Sequence, residues 1–399
     1  MNTALVNARV LLDDGFAYGK AVLVADGRIQ AVVEEGAVPP GFARRDLGGG
    51  TLVPGFIDVQ VNGGDGVLFT DAPTPEAIAR IGAAHRRFGT TGFLPTLISV
   101  DLDTVGAAIA ATREALAEGA PGLLGLHIEG PFLNAARKGI HDASKFRVID
   151  EPAIALLTSL KAGRTLVTLA PETTTPDIIS RLTKAGVIVA AGHTNADYSA
   201  IRAALDHGLA GFTHLFNAMS PMTSREPGAV GAALEDAASW CGLIVDGKHV
   251  DPVVLRVALA AKRHDRFMLV TDAMPTVGMS EKAFRLGGRL ITVEDGVCVD
   301  EYGTLAGSDL DMASAVRNAV NMLGLTLADA ARMASRNPAE FLGLGRELGR
   351  IAPGYRADLV LLDEGLFAAE TWVNGVDSKS VSDPPVGAIH GDREGARHA

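Results

Sequence analysis

Apolar runs of strand length recur along the chain, and each ends in a cluster of polar residues. Eight such runs cover residues 52–62, 92–98, 123–129, 166–172, 187–193, 211–217, 241–249 and 268–272. Runs that stay apolar on both faces, as Leu123 to Leu126 and Val187 to Ala191 do, mark parallel strands buried on both sides. The segments between them carry apolar residues at helical spacing, as over 75–88, 102–116, 176–185, 198–207, 252–262 and 310–323. Strand and helix alternating eight times predict an α/β fold, a closed parallel TIM (β/α)8 barrel.

Shorter alternating stretches at 3–10, 20–24 and 28–33, around the turn Ala25-Asp26-Gly27, predict a small β unit before the barrel. After the last barrel helix, the turn-rich 349–354 leads into strand-like 357–362 and 371–375. The two ends are expected to form one β-sandwich, residues 1–50 with 347–378, around a barrel over 51–346. The chain is polar and aperiodic from Val376, and 379–399 is expected to be a mobile tail.

The 399 residues hold a barrel of about 250 residues plus a smaller unit. A net charge of -11 excludes a general nucleic-acid surface, so an anionic ligand must be met by local cations. Only Cys241 and Cys298 occur, both in apolar runs, which indicates neither a disulfide framework nor a thiolate metal site and fits a reduced cytoplasm. Met1 to Asp14 lacks the marks of a signal peptide, and no apolar stretch nears the roughly 20 residues that span a bilayer; neither export nor a membrane partner is expected.

Catalytic residues of such barrels sit at the C-terminal strand ends. His127, Glu129, His193, His214, Asn217, His249 and Asp272 are therefore expected to converge on one mouth. A lone strand-end histidine is more often a hydrogen-bonded residue than a ligand. Glu129, His193 and His214 at three strand ends reverse that reading: one carboxylate and two imidazoles suit Zn2+ or Fe2+ and leave a position open for water. His127 shares a strand face with Glu129 and is read as lying behind the ligands rather than among them. Asp272, across the mouth, is the natural general base.

The strings Pro54-Gly55-Phe56-Ile57-Asp58, His127-Ile128-Glu129-Gly130-Pro131-Phe132, Gly192-His193-Thr194, Thr213-His214-Leu215-Phe216-Asn217-Ala218-Met219, Asp246-Gly247-Lys248-His249 and Thr271-Asp272-Ala273 occur in that order. In order and spacing the chain resembles the N-acetylglucosamine-6-phosphate deacetylases of the amidohydrolase superfamily, over residues 1 to about 375. The resemblance implies one divalent metal per subunit on Glu129, His193 and His214, with Asp272 as catalytic acid/base and His141 polarising the acetyl carbonyl. It also implies substrate contacts from Ile140, Asn217, Ala218 and a loop holding Leu305, Ala306 and Gly307. Arg225 and His249 would bind the phosphate, partly across a homodimer. Where related hydrolases carry His-x-His for a second metal, this chain has Gln60-Val61-Asn62, and the fourth strand ends without a lysine, so a single metal is implied, with Gln60 and Asn62 beside it. Some family members share the Gln-x-Asn pattern. The expected reaction is hydrolysis of N-acetylglucosamine 6-phosphate to glucosamine 6-phosphate and acetate. The alternatives are N-acetylgalactosamine 6-phosphate or another N-acyl substrate, and a non-catalytic scaffold.

Overall fold

Eight parallel strands form one sheet in sequence order: Phe56–Val61, Thr90–Leu97, Gly125–Glu129, Arg164–Leu169, Ile188–Ala191, Gly211–Phe212, Trp240–Leu243 and Phe267–Leu269. The computed structural model describes residues 2–378, so the expected mobile tail at 379–399 lies outside the described residues. The first and last strands meet through a parallel bridge between Val61 and Ala273, with Asp272 N–H donating to the Gln60 carbonyl at 3.0 Å and Asn62 N–H to the Ala273 carbonyl at 2.9 Å. These bonds close the barrel. Helices pack outside; those at Pro75–Arg86, Pro176–Lys184 and Pro252–Ala261 start on proline after Thr74, Thr175 and Asp251, whose side chains accept a first-turn N–H. Among the described residues no helix is long and apolar enough to cross a membrane.

Two further sheets stack beside the barrel. Thr3–Val6, Lys20–Ala25, Arg28–Glu34 and Ala43–Asp46 make one. The other joins Arg9–Leu12, Gly15–Ala17 and Thr51–Pro54 to Leu359–Leu362, Ala368–Val373 and Val376–Asp377. Leu5, Val22 and Ile29 of the first pack with Val10, Leu52, Leu359 and Trp372 of the second in one core. The sandwich therefore draws on both chain ends, as expected.

Three expectations need correction. Residues 51–54, read as the start of the first barrel strand, instead pair with Arg9–Val10 and with Leu359–Leu362. The hand-over falls at Gly55: its N–H donates to the Asp358 carbonyl of the sandwich at 2.8 Å, while the next N–H, of Phe56, goes to the Gly89 carbonyl at the barrel at 3.1 Å. Strands four to eight also stop short of their expected polar ends. At His193, His214 and Asp272 the backbone turns to φ values of 47°, 33° and 53°, which no β-ladder can continue. Finally, an antiparallel sheet of Ala283–Leu286, Arg289–Glu294, Val297–Asp300 and Leu305–Ser308 stands between the last barrel strand and the helix Met312–Leu323; the strand-helix alternation gave no sign of it.

Asp58 also fastens the first barrel strand to the last. Its carboxylate accepts the Thr271 hydroxyl at 2.5 Å and the Gln60 N–H at 3.1 Å, and burial pushes its pKa up to about 7. The folded chain thus holds a proton that the unfolded chain, with an ordinary pKa of 3.8, has already released. The unfolded state binds fewer protons between these values, so the group's contribution falls as pH rises from about 4 to about 7. Thermal melts should show wild type losing stability relative to Asp58→Asn across this window; a constant difference would remove the assignment.

Candidate metal centre and active site

The ends of several strands bring polar groups to the mouth. Glu129 ends the third strand, and its Oε1 lies 3.1 Å from His193 Nε2 and 3.0 Å from His214 Nε2; the two nitrogens are 3.1 Å apart. All three residues are buried. His193 Nδ1 is 2.9 Å from the Arg137 carbonyl oxygen, which can only accept, so Nδ1 carries the proton and Nε2 is a bare lone pair. That lone pair faces a carboxylate oxygen and a second imidazole nitrogen. A bound cation would satisfy these three converging atoms, which lie together away from water. The donor set, one hard oxygen and two imidazoles, fits a divalent transition metal. Among the described residues it is the one such cluster with potential metal-ligand spacing.

Asp272 lies beside this triad, where burial first and the charge of Glu129 second raise its pKa above the usual carboxylate value. The Gln60 amide donates to Glu129 Oε2 at 3.1 Å and to Asp272 Oδ1 at 3.0 Å, and the Asn62 amide donates to the same Oδ1 at 2.7 Å. Both donors fall on Oδ1, which fixes the carboxylate plane and leaves Oδ2 unclaimed by them. His193, His214 and Asp272 hold their positive φ without being glycines, a strain that collects where surrounding structure fixes functional groups.

His141 faces the triad, its ring centroid 4.4 Å from that of His193. Ser99 donates to its Nδ1 from the backbone N–H at 3.3 Å, and the Ser99 hydroxyl lies 2.8 Å from the same nitrogen. Nδ1 is therefore the acceptor and Nε2–H the free donor. Burial, then the neighbouring His193, pushes the ring's pKa down to about 3, so it donates as a neutral imidazole. Ser99 owes its place to Gly130, with φ of +84°, where a Cβ would meet Ser99 Oγ at 2.3 Å.

A cleft of about 640 Å³, part of it open to solvent, joins these groups. Asn62, Ile140, Asn217, Ala218, His249, Leu305, Ala306 and Gly307, all expected at the site, line it. His249 is held by an Asp246 carboxylate oxygen 2.5 Å from its Nδ1. His127 lies deeper, bonded to Thr96 at 3.2 Å and Thr168 at 2.8 Å, its pKa pushed down to about 4 by burial. It is a neutral part of the barrel interior. Arg225 is not at this cleft; it lies in the exposed segment 221–227. Ile98 and Met274 line the cleft and Ser99 supports it, yet the sequence reading missed all three. Their only signal was position, within five residues after a strand end.

The Amidohydrolase family model matches residues 51–387. N-acetylgalactosamine-6-phosphate deacetylase of Shewanella sp. (strain ANA-3) is 43% identical over 373 residues, spanning 92% of this chain and 94% of that protein. Among solved structures, N-acetylglucosamine-6-phosphate deacetylase from Pasteurella multocida superposes with a TM-score of 0.91 at 35% identity, covering 94% of this chain and 99% of the other. A mutant of the Mycobacterium smegmatis N-acetyl-D-glucosamine-6-phosphate deacetylase, in complex with N-acetyl-D-glucosamine-6-phosphate, gives 0.87 at 36% identity over 94% and 99% of the two chains.

Proposed function

The chain belongs to the amidohydrolase family, and from that premise we propose that it hydrolyses the acetamide of N-acetylglucosamine 6-phosphate to acetate and glucosamine 6-phosphate. The observation that carries this reading is the facing pair of a Glu129-His193-His214 triad at metal-ligand spacing and a fixed His141 Nε2–H, with Asp272 beside them. A divalent cation, Zn2+ or Fe2+, held by the triad would supply Lewis acidity, bringing the pKa of water toward about 7.

Asp272 takes the proton of the attacking water on Oδ2 and returns it to the departing nitrogen, which could not leave as an anion. The Gln60 and Asn62 amides hold that carboxylate in plane throughout. His141 donates its Nε2 proton in a hydrogen bond to the acetyl oxygen as negative charge builds there. Replacing His141 with Ala should lower kcat by about 10²- to 10³-fold, with metal content unchanged. A smaller loss, in steady-state assays of acetate release, would reassign the carbonyl donor.

The sugar phosphate is met by His249, braced by Asp246, and by Arg225 of the partner subunit in a homodimer. The exposed position of Arg225, away from its own cleft, supports that reading. Mixing chains carrying Arg225→Ala with chains carrying Asp272→Asn should restore activity, because one cleft of the mixed dimer is then intact. The free, buried Cys241 and Cys298 fit a cytoplasmic enzyme.

The 43% identity to a galactosamine-type deacetylase favours N-acetylgalactosamine 6-phosphate as a second reading. Turnover of both epimers, each with and without the phosphate, separates the two. Loss of the phosphate should cost either epimer most of its kcat/KM; equal turnover without it would sink both.

A further inference from the structure

The cleft has two unlike walls. One carries the triad, Asp272 and the donors described above. The other is apolar, built from Ile98, Ile140, Met274, Leu305 and Ala306. Ile98, Ile140, Met274 and Ala306 belong to one packed cluster with Leu68 and Ile291, so this wall is the inner face of the core between the barrel mouth and the inserted antiparallel sheet. It also adjoins the carbonyl donor, since Ile140 immediately precedes His141 and Ile98 immediately precedes Ser99, which anchors that imidazole.

A phosphorylated N-acyl sugar has little to offer such a wall. Its hydroxyls, ring oxygen and phosphate need polar partners, because burying them unpaired is costly. The methyl of the acyl group is its one terminal apolar group. A carbonyl oxygen held at His141 Nε2 places the methyl on the carbonyl carbon near the imidazole, in the cleft that Ile98 and Ile140 also line. We propose that Ile98, Ile140 and Met274 form a pocket for the acyl methyl group, and that Met274 limits the length of the acyl chain. This inference rests on the deacetylase reading.

Met274 suits that role because it is fixed. It is 2% exposed, and its N–H donates to the Ser308 carbonyl at 2.9 Å, while Ser308 N–H donates to the Asp272 carbonyl at 3.0 Å. One backbone ladder therefore sets both the carboxylate and the pocket wall. Gly307, at φ +79°, lies against the Met274 side chain: a Cβ there would come within 2.6 Å of Met274 Cγ and 3.0 Å of its sulfur. The strand carries no side chain where Met274 passes, so the thioether packs directly on backbone. A wall packed this closely has no slack for an added methylene. Such pockets separate homologues one methylene apart by roughly 10- to 200-fold.

The test measures kcat/KM for the N-acetyl, N-propionyl and N-butyryl forms of one hexosamine 6-phosphate with wild type, Met274→Ala and Ile98→Ala. Wild type should favour acetyl over propionyl by about tenfold or more, and Met274→Ala should shrink or invert that ratio by about tenfold. The ratio is taken within one sample, so a partly folded variant still answers, and Ile98→Ala probes the same wall should Met274→Ala not fold. Wild type that turns over the butyryl substrate as well as the acetyl one overturns the proposal, as does an unchanged ratio in the variants. A wild type that releases no acetate from the acetyl substrate overturns the deacetylase reading instead.

Discussion

Asp272→Asn should lower kcat by about 10³- to 10⁴-fold while leaving KM and metal content near their wild-type values. The replacement is nearly isosteric, and its carbonyl can stand in for Oδ1 as acceptor of the Gln60 and Asn62 amides. What disappears is the other oxygen, the only atom of the side chain able to take and return a proton. Because one group serves both transfers, water deprotonation and protonation of the leaving nitrogen fail together. Metal analysis with kcat measurement checks this, and a kcat within tenfold of wild type would leave Asp272 without its role.

Glu129→Ala should cost more, because it removes the site rather than a step. Two neutral imidazoles would remain where three protein ligands are the usual minimum for a catalytic centre, and the only negative charge among the ligands would be gone. Bound metal should fall from about one per chain to near zero on dialysis, and turnover should drop to background. Ligand binding stabilises only a folded state that binds, so added Zn2+ or Fe2+ should raise the melting temperature of chelator-stripped wild type but not of the variant. A variant that keeps one metal per chain and the same melting response would show that Glu129 is not a ligand.

Much of this was legible in the chain because burial leaves a plain signature. Parallel strands covered on both faces must be apolar, so the polar residues ending them stand out, and Glu129, His193, His214 and Asp272 were found that way. What stayed hidden depends on three dimensions. No pattern of residue types shows that His193, His214 and Asp272 turn into the left-handed region. The proton position on His141 follows from a bond to Ser99 across 42 residues of sequence. The 51–54 segment is as apolar as the barrel strand that follows, since both lie in buried sheets, and only the change of hydrogen-bond partner at Gly55 divides them. The inserted sheet escaped because exposed positions interrupt its strands, as in Arg289–Glu294.

The pairing of Thr51–Pro54 with Leu359–Leu362 bears on how the chain is made. The partners are separated by about 300 residues, so a ribosome adding about 5 to 20 residues per second releases the second roughly 15 to 60 seconds after the first. Throughout that interval the early strand has an open edge, which invites association with other nascent chains. Chaperones and the rate of translation would then govern yield more than the final stability does, and a circular permutant that brings the two ends together early should accumulate less aggregate during expression.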